Sequence, residues 1–179
     1  MKRSRELTRS QRYEKKLKKA EFLPLEICTV NFEVDQNLGF LIRAAACFGV
    51  RKINVIGSIP DSSILKPLSG SLQNYVELQG FSNPHKYVEY VEKTNMPIVA
   101  AEISDSATSI FGFNFTLSGN FHLVVGNERS GVPEEISLRA TTVFVPMPGV
   151  GYCLNTSQAA NIFLYEIYKQ FNNIKNESL

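Results

Sequence analysis

The chain has 179 residues, of which 44% are hydrophobic, and a net charge of +2. These values fit one globular domain with a sizeable core and exclude a disordered chain. No apolar run reaches the roughly 18 residues that cross a bilayer, and the basic N-terminus lacks the apolar core of a signal peptide, so we expect a cytoplasmic protein.

The first predicted element is a basic helix at the N-terminus. Residues 1–20 carry nine Lys or Arg against two Glu, a net charge of +7, whereas the rest of the chain has a net charge of −5. We therefore divide the chain into a basic helical extension, residues 1–20, and a domain, residues 21–175. A segment with this charge commonly binds a polyanion, usually nucleic acid; the alternative is a solvated helix that aids solubility.

Strand-like and helix-like segments alternate through the rest of the chain. The predicted strands are the apolar runs at 25–30, 52–57, 75–79, 97–102, 121–126 and 142–146. The predicted helices run from a cap at Asp35 or Asn37 to Phe48, within 60–70, from a cap at Asn83 to Asn95, from about Pro133, and from a cap at Asn155 to Phe171. Gly49 is the predicted C-terminal stop of the first of these. This alternation predicts a parallel sheet with helices on both faces. Ligands of such sheets bind beyond the carboxyl ends of the strands, so the expected site lies at the loops after Asn31, Ala101, Gly126 and Pro146.

The helix NLGFLIRAAACFGV, residues 37–50, is apolar on nearly all sides and is therefore expected to be buried. Its single charge is Arg43. A buried guanidinium needs a partner or a ligand, because burying it alone is costly. The alternative is an arginine that extends from the edge of the core into solvent.

The stretch GNERSGVPEE, residues 126–135, directly follows a predicted strand. Gly126 and Gly131 allow a backbone to approach a ligand closely. Asn127, Glu128 and Arg129 place polar groups at the strand end. The stretch is neither a Walker loop nor a dinucleotide fingerprint, and the alternative is an ordinary turn.

The stretch VPMPGVGYCLNTSQAANIFLYE, residues 145–166, joins a stiff loop to the last helix. Pro146 and Pro148 restrict the loop, and Gly149 and Gly151 permit unusual backbone angles. We predict two apolar faces on the helix, which suggests a subunit interface, with burial inside one chain as the alternative. One face holds Ala159, Ile162, Phe163 and Ile167, and the other holds Leu164, Tyr165 and Tyr168.

Cysteine and histidine chemistry is not expected. Cys28, Cys47 and Cys153 form no CxxC pair, and the chain has two histidines, which argues against a disulfide framework and against a zinc or other metal site. A catalytic Cys153 would need a histidine base within reach, but His85 opens a predicted helix and His122 lies inside a predicted strand.

Taken together and in this order, the three stretches resemble the SpoU branch of the SPOUT superfamily of RNA methyltransferases, over about residues 25–170. The pattern Asn-x-Gly-x-x-x-Arg-x-x-x-x-Phe-Gly is matched by Asn37, Gly39, Arg43, Phe48 and Gly49. The pattern Gly-Asn-Glu-x-x-Gly is matched by Gly126, Asn127, Glu128 and Gly131. The pattern Ile/Val-Pro-Met-x-Gly…Ser-Leu-Asn-x-Ser-x-Ala is matched by Val145, Pro146, Met147, Gly149, Leu154, Asn155, Ser157 and Ala159, with Cys153 in place of the first serine.

The resemblance implies a fold, a cofactor and a reaction. The fold is a parallel α/β sheet with a deep C-terminal trefoil knot, an exception to the rule against threaded chains. The reaction is methyl transfer from S-adenosylmethionine to a ribose 2′-hydroxyl in RNA, without a metal. The matched positions imply that Gly126, Val145, Met147 and Leu154 contact the cofactor. They also imply that Arg43 assists the attacking hydroxyl, as a base or as an electrostatic stabiliser, supported by Asn37, Glu128 and Asn155.

The resemblance further implies a homodimer through the C-terminal helix and an extension that binds RNA. The basic extension would contact phosphates without reading the base sequence. The side chains expected to do so are those of Arg3, Arg5, Arg9, Arg12, Lys15 and Lys16. The compact chain favours tRNA over rRNA as the substrate. Because a thiol is a weaker donor than a hydroxyl, Cys153 motivates one alternative: a non-catalytic RNA-binding dimer that retains the fold.

Overall fold

The computed structural model describes residues 7–177, and side chains as far as residue 174. The helices are α1 (Arg9–Leu17), α2 (Asp35–Phe48), α3 (Ser62–Leu68), α4 (Pro84–Thr94), α5 (Glu134–Ser137) and α6 (Thr156–Glu177). The strands are β1 (Leu25–Val30), β2 (Lys52–Ile56), β3 (Glu77–Phe81), β4 (Ile98–Ala101), β5 (Thr108–Ser109), β6 (Phe121–Val125) and β7 (Ala140–Phe144). Short 3-10 turns lie at Gln73–Tyr75 and Phe115–Ser118.

The strands form one sheet in the order β3-β2-β1-β6-β4-β7-β5, and each neighbouring pair is parallel. Alternate residues of β1 enter two different cores. Ile27 packs in a core with residues of α2 and α6, whereas Cys28 and Val30 pack in a core with residues of α4 and α5. The predicted parallel sheet with helices on both faces is confirmed. The trefoil knot stays a prediction.

The local predictions differ from the structure in several places. Strand β3 covers 77–81 instead of 75–79, β7 covers 140–144 instead of 142–146, and the two-residue edge strand β5 was not predicted. Neither Asp35 nor Asn37 caps α2, because Val34 holds the cap position without a side-chain bond and Asn37 is buried in the first turn. At the other end of α2, Gly49 takes a φ of +76°, which confirms the predicted stop.

Helix α1 lies inside the basic segment. Thr8 and Gln11 form a reciprocal capping box at its start, and Lys15 and Lys16 lie in its last turn, where positive charge suits the helix dipole. No residue of α1 is buried. A helix in this segment is confirmed at 9–17, whereas Arg3 and Arg5 lie outside the described residues and the boundary at residue 20 stays a prediction.

Within residues 7–177, no helix is long and apolar enough to cross a membrane. In the same part of the chain, no group of His, Cys, Asp and Glu side chains could hold a metal ion.

His122 lies buried in β6, far from the strand ends that carry the three motifs. Its Nε2 lies 3.1 Å from Thr94 Oγ1, and its Nδ1 lies 3.8 Å from Glu26 Oε2. Burial lowers the pKa of the His122 imidazole from 6.5 to about 4. Glu26 opposes this shift, and Lys52 makes a smaller contribution that lowers the pKa further. The folded protein therefore holds this side chain neutral.

We expect the free energy of unfolding to fall as the pH is lowered from 6.5 towards 4. In this window the unfolded chain protonates His122 and the folded chain does not, so stability present above pH 6.5 is lost, by up to roughly 3 kcal/mol. Urea unfolding of the wild type and of His122→Gln across this range measures the effect, which the variant should lack. His85→Gln, at an exposed position, should keep the wild-type slope, and equal slopes in all three proteins would contradict the assignment.

Candidate active site

The loops after β4, β6 and β7 enclose a cavity of about 250 Å³ at the carboxyl ends of the strands. Gly126, Val145, Met147 and Leu154, which the resemblance assigns to the cofactor, all line this cavity. The structure therefore brings together four residues from two separate stretches of the chain. Cys153 also lines the cavity, and its thiol is free and exposed.

Gly126 allows the loop that follows β6 to fold back closely. A Cβ on this residue would lie 2.6 Å from Val132 N, so the backbone would have to move for any other side chain. Asn127 and Gly131 close the loop with two backbone hydrogen bonds of 2.9 and 3.1 Å. Glu102 holds the C-terminal end of this loop, because its Oε2 accepts a hydrogen bond from Val132 N at 2.9 Å.

Three of the four predicted catalytic residues form one hydrogen-bonded chain beside this cavity. Asn37 Nδ2 donates to Glu128 Oε1 at 2.5 Å, and Asn155 Nδ2 donates to Asn37 Oδ1 at 2.9 Å. Glu128 Oε2 also accepts from the Glu33 backbone N–H at 3.0 Å. The chain ties the first turn of α2 to the loop after β6 and to the start of α6.

Asn155 has a second role in this arrangement. Its Oδ1 accepts from the backbone N–H groups of Ser157 at 3.0 Å and Gln158 at 3.3 Å, so it caps α6 as the sequence predicts. The Ser157 hydroxyl donates to the same oxygen at 2.7 Å. The amide of Asn155 is therefore held at both ends, and its orientation is determined by α2 and α6 together.

The structure supports the second of the two alternatives for Arg43, an arginine that extends from the edge of the core into solvent. Arg43 is exposed, because α2 has a solvent-facing stripe formed by Gln36, Phe40, Arg43 and Cys47 at helical spacing. Its charge is solvated, so the argument that it needs a partner does not hold. Arg43 lines a second cavity of about 460 Å³ and not the first one; Asn37 and Asn155 line this second cavity too.

The predicted faces of the last helix are also partly wrong. The buried stripe consists of Ala160, Phe163, Leu164 and Ile167, spaced for one side of a helix. Ile162, Tyr165 and Tyr168 form an exposed apolar stripe, with residue exposures of 39%, 59% and 42%. Leu164 therefore belongs to the core and Ile162 to the surface. The core of the chain packs against one face of α6 and leaves the other face exposed to solvent.

The tip of the loop between β7 and α6, residues 149–152, stands away from the rest of the chain. Gly149 and Gly151 do not take positive φ angles, and a Cβ on either would meet nothing within 4 Å. Val150 and Tyr152 are almost fully exposed. The unusual backbone angles that the sequence suggested for these glycines are therefore not present.

Sequence reasoning missed Glu102 as a residue that shapes the site, and it gave Asn127 and Asn31 a place at the strand ends without the contact that joins them. Asn127 Nδ2 donates to the Asn31 carbonyl at 2.5 Å, and Asn31 itself takes a φ of +38°. Glu102 is the last residue of the predicted strand 97–102. A carboxylate at the end of an apolar strand was the available signal for it.

The parallel sheet and the motif-lined cavity beyond its strand ends define an α/β domain with a ligand site at the carboxyl ends of its strands. The model of the SpoU rRNA Methylase family matches residues 24–165, and the chain belongs to this family. The chain is 23% identical to the tRNA (guanosine(18)-2′-O)-methyltransferase of Escherichia coli K12 over 150 residues. This match covers 83% of the chain and 65% of the relative, so the chain spans somewhat less than two thirds of the relative's length.

Solved structures share the fold. The A. aeolicus TrmH/SpoU tRNA modifying enzyme superposes with a TM-score of 0.79 at 24% identity, over 91% of this chain and 86% of that one. The SpoU methyltransferase AviRb from Streptomyces viridochromogenes, in complex with AdoMet, gives a TM-score of 0.72 at 25% identity. That match covers 85% of this chain and 61% of that one.

Proposed function

We propose that this chain transfers a methyl group from S-adenosylmethionine to a ribose 2′-hydroxyl in RNA. The observation that carries the proposal is the hydrogen-bonded chain Glu128–Asn37–Asn155 beside the cavity of Gly126, Val145, Met147 and Leu154. Membership of the SpoU family supports it, as does the complex of AviRb with AdoMet.

The walls of the first cavity fit such a cofactor. Val145, Met147 and Leu154 supply apolar surface, and the backbone around Gly126 supplies polar groups without adding a charge. When bound, S-adenosylmethionine supplies a methyl group activated by its sulfonium.

The proposed chemistry needs help at the 2′-oxygen, which loses its proton as it takes the methyl group. A guanidinium hardly ever deprotonates, so Arg43 serves better as a stabiliser of the developing negative charge than as a base. Asn155 and Asn37 line the second cavity, and Asn37 is hydrogen-bonded to Glu128, which lines the first. We assign Asn37 and Asn155 the positioning of the loop between cofactor and RNA. Glu128 holds Asn37 and the backbone of Glu33 and does not contact Arg43.

We favour tRNA over rRNA as the substrate and assign RNA binding to the basic helix. Arg9, Arg12, Lys15 and Lys16 lie exposed on α1, where they are free to contact phosphates. The named activity of the Escherichia coli relative agrees with this preference. We place the reaction in the cytoplasm.

We also assign a homodimer to this chain, formed through α6. The exposed stripe of Ile162, Tyr165 and Tyr168 offers an apolar surface next to α2, where Phe40 is 47% exposed. A second copy covering this surface would enclose the second cavity and with it Arg43.

One alternative function rests on Cys153, which lines the cofactor cavity where the family pattern has serine. In this alternative the chain is a dimer that binds RNA and transfers no methyl group. The alternative predicts cofactor or RNA binding without turnover on any cellular RNA.

A tritium-transfer assay tests the proposal. Purified protein and labelled S-adenosylmethionine are incubated with separate tRNA and rRNA pools from cells that lack the gene. Label in the tRNA pool, at a ribose that resists alkaline cleavage, is the expected result. Cofactor binding without label in either pool would contradict the enzyme assignment, and the same assay with Cys153→Ser would show whether the thiol is the cause.

A further inference from the structure

The tip of the loop between β7 and α6 carries an aromatic side chain that the fold does not use, that of Tyr152. Tyr152 is 94% exposed, whereas Tyr165 and Tyr168 on α6 are 59% and 42% exposed. Among the residues that the structure describes, the Tyr152 ring forms no hydrogen bond, aromatic pair or cation–π contact. Because the ring contributes almost nothing to packing, its exposure points to a contact with a molecule outside the chain.

Tyr152 directly precedes residues that line the two cavities of the site. Cys153 and Leu154 line the first cavity, and Asn155 lines the second, which also contains Arg43. Consecutive Cα atoms are about 3.8 Å apart, so the backbone of Tyr152 lies beside the wall of the first cavity. An RNA that places a ribose between the two cavities therefore passes close to this ring.

A flat aromatic ring that is open to solvent suits a nucleobase. Unpaired RNA bases stack on aromatic side chains, and such stacking tolerates any base because every base has a π-face. A Cβ on Gly149 or on Gly151 would meet nothing within 4 Å, so the chain leaves open space around the tip of the loop. A base can therefore approach the Tyr152 ring without displacing any other part of the chain.

A second copy of the chain is the other molecule that could cover Tyr152. The exposed apolar stripe assigned to the dimer begins at Ile162, farther along α6. Between Tyr152 and this stripe lie three exposed polar residues that line the second cavity: Asn155, Gln158 and Asn161. The polar wall of the second cavity thus separates the loop tip from the stripe, which favours RNA over a second copy at Tyr152.

We propose that Tyr152 binds the base of the methylated nucleotide by stacking on it. This inference rests on the proposed function and adds a residue that contacts the substrate. The base is attached to the ribose carbon next to the one that carries the 2′-hydroxyl, so a ring at the edge of the first cavity is within reach of it. The stack adds affinity for an unpaired nucleotide and does not select one base over another.

A tryptophan at this position reports on the stack directly, because the chain contains no tryptophan. The variant Tyr152→Trp is titrated with a tRNA pool from cells that lack the gene and, in parallel, with heparin, a polyanion without bases. We expect the tRNA to quench the tryptophan emission and heparin to leave it unchanged. Phe111→Trp is the matched control, since Phe111 is 82% exposed and lines neither cavity, and its emission should not respond to tRNA.

Four results of this experiment would overturn the stack. They are equal quenching of the two variants, quenching by heparin, absence of quenching in a Tyr152→Trp protein that still methylates RNA, and an emission that changes on dilution without RNA. The last of these would place the ring between two copies of the chain. Absence of methyl transfer by the wild type would instead count against the proposed function, so the two failures are distinguishable.

Steady-state kinetics measure what the stack contributes to substrate binding. We expect Tyr152→Ala to raise the KM for tRNA about tenfold, the scale of losing one aromatic stack, and Tyr152→Phe to stay within about twofold of the wild type. The KM for S-adenosylmethionine should not change, because Tyr152 does not line the first cavity, and Phe111→Ala should keep the wild-type KM for tRNA. A loss in Tyr152→Phe as large as in Tyr152→Ala would assign the effect to the hydroxyl and overturn the stack, as would an unchanged KM in Tyr152→Ala.

Discussion

Replacing Arg43 with alanine is expected to lower the rate of methyl transfer by a factor of about 100 or more, the usual effect of removing one group that stabilises a developing oxyanion. Arg43 lines the second cavity and not the one assigned to the cofactor, so the affinity for S-adenosylmethionine should not change. Because Arg43 is exposed and forms no ion pair among the described residues, the fold should be unaffected. Initial rates with labelled cofactor measure the loss of methyl transfer, and calorimetry measures the affinity for the cofactor.

Arg139→Ala is the matched control for this substitution. Arg139 is another exposed guanidinium, which lies near Glu92 on the opposite face of the sheet, and its loss should leave the rate unchanged. Arg43→Lys separates the effect of the positive charge from the effect of the planar, forked guanidinium, because a lysine keeps the charge but not the fork. A loss of cofactor affinity as large as the loss of rate in Arg43→Ala would place Arg43 at the cofactor and contradict the separation of the two cavities.

Replacing Gly126 with alanine is expected to weaken cofactor binding at least about tenfold and to lower the free energy of unfolding by about 1–3 kcal/mol, as overpacking usually does. The added Cβ would meet the backbone of Gly131 and Val132, which a side-chain rotation cannot relieve. The loop that forms one wall of the first cavity must therefore shift. Calorimetry with S-adenosylmethionine and urea unfolding are the two measurements.

Gly80→Ala is the control for the effect of any Gly→Ala substitution in a strand region on the entropy of the backbone. Gly80 also lies at the end of a strand, but its Cβ would meet only Ile59 Cδ1, at an ordinary 3.5 Å. This variant should bind the cofactor like the wild type and lose little stability. Unchanged cofactor affinity in Gly126→Ala would mean that the first cavity is not the cofactor site.

The order of elements could be predicted because each strand is a short apolar run bounded by residues that end it. Asn83 and Asn155 were recognised as caps, and Gly49 as a helix stop, from local chemistry alone. Strand β5 was missed, since two residues are too few for any periodic pattern and its pairing with β7 supplies its structure. The place of the first cavity follows from the rule for the carboxyl ends of parallel strands, whereas its proposed assignment to the cofactor depends on the order of the three motifs.

The sequence by itself determined the parallel sheet, the family and the set of residues at the strand ends, because these depend on hydrophobic runs and on motifs within single segments. Only the tertiary structure decided which side of α2 meets solvent. Arg43 is exposed because α3 and α6 cover the other sides of that helix, and no pattern within residues 35–48 states which neighbours will do so. The exposure of Tyr152 has the same origin: no pattern within residues 145–155 states that the tip of this loop will meet no other part of the chain.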